Sequence, residues 1–167
     1  SAETLCKATY GSVWVTSQSL CVGGASDLSN KDLTGETLST VRLRGANLSG
    51  TKLSNAVIWN AFIQNVTLNT NSLFDGVAFL NSTIDNVDFS NISLATTGLN
   101  YVFTNNLIGC PTALPANWSC IQYSTAPVRY RLVGPYARFA NDADLNNIMW
   151  QGTVAAPIMF PTQLQGV

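Results

Sequence analysis

The chain contains no histidine. Ser-His-Asp triads, histidine metal ligands and imidazole proton shuttles are therefore excluded. Carboxylates are what remains for acid–base work. Asp85 and Asp88 lie three apart, and Asp142 and Asp144 form a second close pair. A glycosidase needs two carboxylates facing one bond, one of them raised in pKa by burial. Aspartates at exposed corners lack that burial, so both pairs read as solvated turn residues and no enzyme is expected. Asp75, Asp85 and Asp88, with nearby Asn oxygens, offer oxygen ligands for calcium. No Asp-x-Asp-x-Asp-Gly type loop accompanies them, so no metal site and no cofactor are expected.

The other reactive side chains are four cysteines in two close pairs, Cys6 with Cys21 and Cys110 with Cys120. Neither pair has zinc-ligand spacing. Four cysteines allow three connectivities. The reading adopted is two local disulfides, which implies an oxidising place: extracellular or cell surface, with periplasm or lumen as alternatives. The start at Ser1-Ala2-Glu3, without Met or an apolar leader, fits a mature secreted product. No uncharged run is apolar enough to span a bilayer, so membrane insertion is not expected.

These groups must be positioned by a chain of unusual composition. Of its 167 residues only 10% are charged and 46% are hydrophobic, where ordinary soluble proteins carry about a quarter charged. Asn, Ser and Thr replace the missing charge, which suits stacked coils with uncharged side-chain ladders. The net charge of −1 supplies no field for nucleic acid or anionic membrane. From Leu28 an aliphatic residue returns every five positions, through Leu33, Leu38, Leu43, Leu48, Leu53, Ile58, Ile63, Leu68 and Leu73. The count slips by one at Asp75-Gly76 and resumes with Phe79, Ile84, Phe89, Leu94 and Leu99. A period of five is neither the 3.6 of a helix nor the 2 of a plain strand; it marks an internal repeat.

The repeat resembles the pentapeptide-repeat family, whose unit reads roughly Ala-(Asp/Asn)-Leu-X-X. The nearest copies are Ala46-Asn47-Leu48-Ser49-Gly50 and Lys31-Asp32-Leu33-Thr34-Gly35. The resemblance implies an all-β fold, a right-handed quadrilateral parallel β-helix with one pentapeptide per side and about twenty residues per coil. In that frame the central residue and the one two before it point inward. The inward partners run Val41, Ala46, Thr51, Ala56, Ala61, Val66 and Asn71, then Val77, Ser82, Val87, Ile92 and Thr97. Lys31 and Glu36 break the pattern in the first coil, where they can reach solvent or pair with a cap. The slip reads as a one-residue bulge at Gly76, and the large centres Phe79 and Phe89 imply a core that widens or loses regularity.

A single domain is expected, in four parts. Residues 1–25 form an N-terminal cap over the first coil's unpaired edge, with a strand-like run around Val13-Trp14-Val15. Residues 26–101 are the main repeat block. Residues 102–135 interrupt it with a disulfide loop and a hairpin over residues 121–133. That loop resembles the Cys-Pro-x-x-Leu-Pro-x-x-Trp-x-Cys insert of secreted bacterial pentapeptide-repeat proteins. Residues 136–167 hold a short degenerate block, clearest at Ala143-Asp144-Leu145-Asn146-Asn147, which continues the same helix. Some cytoplasmic members of the family imitate DNA and bind topoisomerase. That role needs a strongly acidic rod, which this near-neutral chain is not.

Two functions survive. One is a secreted structural protein that binds copies of itself end to end, into a filament or surface layer. Its expected joint is the apolar tail, with Ile148, Met149, Trp150, Ile158, Met159 and Phe160. The other is a binding module for a glycan or a surface protein. Its expected contact is Trp59, which follows Ile58 and projects outward. The early cations Arg42, Arg44 and Lys52 read as surface scatter, or as weak charge polarity that orients subunits head to tail. Sequons at Asn47, Asn65, Asn81, Asn91 and Asn117 arise from composition alone.

Overall fold

A computed structural model of the protein describes residues 1–138. The N-terminal segment contains helix α1 (Ala2–Ala8), strand β1 (Val13–Val15), a 3₁₀ turn (Thr16–Gln18) and strand β2 (Leu20–Val22). Three-residue strands follow: β3 (Thr37–Ser39), β4 (Arg42–Arg44), β5 (Val57–Trp59), β6 (Phe62–Gln64), β7 (Ala78–Leu80), β8 (Thr83–Asp85), β9 (Gly98–Asn100) and β10 (Phe103–Asn105). Two longer strands, β11 (Ser119–Thr125) and β12 (Val128–Val133), complete the described chain.

The short strands build a parallel β-solenoid. One face is a parallel sheet in the order β3-β5-β7-β9, and the next is β4-β6-β8-β10. The other two faces are held by single parallel bridges. Asp27, Asn47 and Thr67 line up on one, and Asp32, Lys52 and Leu73 on the other. Four faces with one pentapeptide each put Thr37 opposite Val57 and Arg42 opposite Phe62. The all-β solenoid expected from the repeat is what forms.

Its interior follows from the two inward positions of each unit. Leu28, Leu33, Leu38, Leu43, Leu48, Leu53, Ile58 and Ile63 are all buried, and the small partners Val41, Ala46, Ala56 and Ala61 fill the space between them. The buried hydroxyls of Thr51, Ser72 and Thr97 are satisfied by the preceding coil. Thr51 Oγ1 donates to the Leu28 carbonyl at 2.7 Å, and Ser72 Oγ to the Leu48 carbonyl at 2.7 Å. An unpaired buried hydroxyl would be costly, so these bonds let polar residues occupy the core. In the first coil Lys31 is exposed, and Glu36 accepts a hydrogen bond from Ser17 of the N-terminal segment.

The slip lies earlier than Asp75-Gly76. Leu73 is 38% exposed whereas Phe74 is 5% exposed; Ser72, not Asn71, takes the inward partner position. The extra residue is absorbed between Leu68 and Ser72. There the Asn69 N–H donates to Ser72 Oγ, and the Asn71 N–H to Asn69 Oδ1. Pairs that bracket the insertion are offset by one more residue, Val57 opposite Ala78 and Phe62 opposite Thr83. Beyond it the twenty-residue offset returns, Ala78 opposite Gly98, so the ladder stays regular where the aromatics enter. Phe74 stacks on Phe79 at 6.2 Å and meets Phe89 edge-on at 6.2 Å.

Both ends of the second sheet are covered. At the first coil the Arg42 N–H donates to the Gly11 carbonyl at 2.8 Å. The Arg44 N–H donates to the Gly24 carbonyl at 3.0 Å, so residues 11–24 occupy the outer edge of β4. At the far end the solenoid runs past residue 101, where the interruption was expected. β10 pairs in parallel with β8, and Gly109 and Ala113 bridge Asp88 and Ser93. The antiparallel hairpin β11–β12 then closes over β10, where the Leu132 N–H donates to Thr104 Oγ1 at 2.7 Å. The first residues after the hairpin rejoin the coil path, the Arg138 N–H donating to the Val102 carbonyl at 2.9 Å.

Candidate functional site

Local chemistry dictates where each corner sits. At one corner Thr40, Asn60, Asn81, Tyr101 and Tyr136 all have positive φ, and at the next Gly45, Asn65, Asn86 and Asn106 do. Asn tolerates this left-handed region better than other side-chain-bearing residues. Stacked asparagines also bond one another: Asn81 Nδ2 donates to Asn60 Oδ1 at 2.7 Å, and Asn86 Nδ2 to Asn65 Oδ1 at 2.6 Å.

The two sheets between these corners present different outer surfaces. On the first, outward positions are Thr37, Ser39, Val57, Trp59, Ala78, Leu80, Gly98 and Asn100, none of them charged. Trp59 is 41% exposed and lies opposite Leu80, itself exposed, in the next coil. On the second sheet the outward positions mix charged and polar side chains, Arg42, Arg44, Gln64, Thr83, Asp85 and Asn105, with the rings of Phe62 and Phe103. Asp85 is bracketed by amides, Gln64 Nε2 donating to one oxygen at 2.7 Å and Asn106 Nδ2 to the other at 3.0 Å. The network extends into the hairpin, where the Tyr123 hydroxyl donates to Asn106 Oδ1 at 2.8 Å. The Arg131 guanidinium lies over the Tyr123 ring at 4.2 Å and donates through Nη2 to Asn105 Oδ1. Gln64, Asp85, Asn86, Tyr123 and Arg129 line a groove of about 420 Å³ between solenoid and hairpin.

Residues 25–69 match the family model for pentapeptide repeats, in eight copies. That supports the pentapeptide-repeat family. No curated protein matches the chain. A pentapeptide-repeat solenoid suggests a structural or protein-interaction module.

The carboxylates of the pentapeptide coils are dispersed. Asp85 is engaged by Gln64 and Asn106, while Asp88 accepts the Ser90 N–H at 2.9 Å within its own corner. Among the described residues no group of three acidic or cysteine side chains is arranged to hold a metal ion. Asp27 and Asp32 sit on the exposed rim of the first coil. The hydroxyl and amide of Ser29, then Asn47 and Lys31, hold the Asp27 carboxyl below the ordinary aspartate range. Thr34 and then Lys52 do the same for Asp32.

Cys6 is bonded to Cys21, and Cys110 to Cys120. The first bond ties α1 to β2; the second ties the start of the last described coil to β11. No helix of the described residues is long and apolar enough to cross a membrane. Ile148, Met149, Trp150, Ile158, Met159 and Phe160 lie outside the described residues, as do Asp142 and Asp144. Arg42, Arg44 and Lys52, close in sequence, separate in space: the two arginines belong to β4 and Lys52 to another face. Sequence reasoning missed the aromatic side chains that hold those arginines. The signal available was the stacking of Phe62 one coil beyond Arg42.

Proposed function

We propose that this chain is a secreted, non-enzymatic structural protein that associates with copies of itself, edge strand to edge strand along the solenoid axis. The carrying observation is the difference between the two sheets. Among the described residues no further strand pairs with β3 or β9 at the edges of the first sheet, and only the Tyr101 N–H just past β9 is taken, by the Tyr136 carbonyl. In contrast, β4 and β10 of the second sheet are covered by the N-terminal segment and the hairpin. A parallel edge strand presents a row of unpaired N–H and C=O groups, which templates another strand. Pairing β3 of one copy with β9 of the next would continue the same parallel ladder. That contact is heterologous and does not close, so it yields filaments or layers rather than dimers. The two disulfides support an oxidising compartment. The apolar tail with Trp150 and Phe160 supports the same reading as a further part of the joint.

Light scattering and negative-stain microscopy of the unreduced protein test this. Concentration-dependent growth of linear particles is expected, and a monodisperse monomer at every concentration would sink the proposal. A second reading, a binding module for a glycan or surface protein, is supported by Trp59 beside Leu80 on an uncharged sheet face. Glycan-array binding that is lost in Trp59→Ala would favour it.

A further inference from the structure

Arg42 and Arg44 occupy alternate positions of β4, so both side chains stand on the outer side of the second sheet. Aromatic rings fix their orientation. The Arg42 guanidinium lies 4.9 Å from the Tyr10 ring centre and 5.9 Å from that of Phe62, and the Arg44 guanidinium lies 5.1 Å from Phe62. A guanidinium held by its face keeps its N–H edge free for an oxyanion. Neither side chain has a salt-bridge partner, and neither donates a hydrogen bond, among the described residues. The nearest carboxylate along that outward column, Asp85, is already engaged by Gln64 and Asn106.

The two arginines form one wall of a cleft of about 550 Å³, whose other walls include Tyr10, Ser12 and Gly24. Gly11 makes the cleft possible. Its φ is +76°, and a Cβ there would stand 2.7 Å from the Arg42 Cβ, so a larger residue would push the arginine away. The Tyr10 ring is 83% exposed, and the Tyr10 and Ser12 hydroxyls make no hydrogen bond among the described residues. Two fixed guanidiniums beside free hydroxyls and an open ring match an acidic group carried on a polyol.

We propose that Arg42 and Arg44 form a binding site for the carboxylate or sulfate group of an acidic saccharide, with Tyr10 and Ser12 contacting the sugar. Two cations in a chain of net charge −1 do not make the extended positive field that a nucleic acid or a membrane surface requires. They suit recognition of a single anionic group, where bidentate guanidinium geometry supplies the specificity.

Surface plasmon resonance over immobilised polygalacturonate, heparin and neutral dextran tests the site and separates carboxylate from sulfate. Binding to at least one acidic polymer is expected, with none to dextran and weakening as salt rises. Arg42→Gln with Arg44→Gln should weaken it about tenfold or more. Arg44→Gln alone, at an exposed position, should weaken it without altering the thermal transition, which separates lost binding from lost packing. Arg129→Gln, which removes a cation from the β11–β12 hairpin, should leave it unchanged. Equal binding by parent and double variant overturns the proposal. So does binding to neither acidic polymer, equal binding to dextran, or stronger binding to phosphatidylserine vesicles than to either polymer.

Discussion

Tyr101 donates its backbone N–H to the carbonyl of Tyr136 at 3.0 Å, and the two rings lie 5.9 Å apart. Both residues are left-handed, with φ of 56° and 59°. They continue the corner column begun by Thr40, Asn60 and Asn81, although a disulfide loop and a hairpin separate them in the chain. The chain therefore leaves the coil path at the hairpin and returns to the same corner. Tyr101→Val should destabilise the protein by about 1–2 kcal/mol, because a β-branched residue is strained in this region. Tyr101→Asn should cost less, since Asn accepts the conformation. Urea unfolding of both variants checks the order; a Val variant as stable as the Asn variant would show that the corner is not strained.

Phe74 stands in the column of Leu33 and Leu53, and Leu73 does not. Phe74→Ala should cost about 3–5 kcal/mol through a cavity beside Phe79 and Phe89. Leu73→Ala, at an outward position, should change stability by no more than about 0.5 kcal/mol. Reversed sensitivities in denaturant melts would put the slip back at Asp75-Gly76.

The pattern of legibility follows from what each signal depends on. Leu28 to Ile63 declare the solenoid because every coil must bury the same two positions, so the period survives any change of surface residue. The slip was misplaced because Leu73 and Phe74 are both apolar, and spacing alone cannot choose between them. What decides is Ser72, whose hydroxyl reaches the Leu48 carbonyl, a partner from the previous coil. Helix α1 was not legible either: its seven residues expose Leu5 and bury Cys6, and so lack an amphipathic period. The Arg42–Tyr10 contact depends on how the cap folds back, which no repeat count encodes.

The rim aspartates give the protein a defined acid response. Asp27 and Asp32 have pKa values lowered by Ser29 and Thr34, so their ionised forms favour the folded state. That contribution is fully present above the ordinary aspartate value of about 3.9. It is lost as pH falls through the lower folded value. Asp27→Asn with Asp32→Asn keeps the local amide bonds but removes the titration. The melting temperature of the double variant should sit below that of the parent at pH 7, and the gap should close as pH falls below about 3.9. A gap that widens on acidification would contradict the sign.

Cys6 and Cys21 close a loop with a sequence separation of 15, and Cys110 and Cys120 one of 10. Replacing either pair with serine should cost about 3 kcal/mol on the chain-entropy account. The effects should differ in place. Loss of the first bond should raise hydrogen exchange in α1 and β1–β2, while the coils from β5 onward keep their protection. Uniform loss of protection along the chain would show that the N-terminal segment and the coils unfold as one unit.

The proposed joint makes the last prediction, because β3 can be blunted without touching the core. The backbone N–H and C=O groups of Val57 and Trp59 turn toward β3. By the alternation of a parallel strand, those of Thr37 and Ser39 turn away from β5, toward the bare edge. Lysine on an edge strand opposes pairing with a further strand, by charge and by its bound water. Thr37→Lys with Ser39→Lys should therefore abolish concentration-dependent growth in light scattering, while the far-ultraviolet spectrum and melting transition stay near those of the parent. Removal of residues 148–167 distinguishes the two parts of the joint. Growth lost only on that removal would assign the contact to the tail; growth lost only in the lysine variant would assign it to the β3 edge. Growth that survives both changes would mean that the copies meet through another surface, with the Trp59–Leu80 face the next to alter.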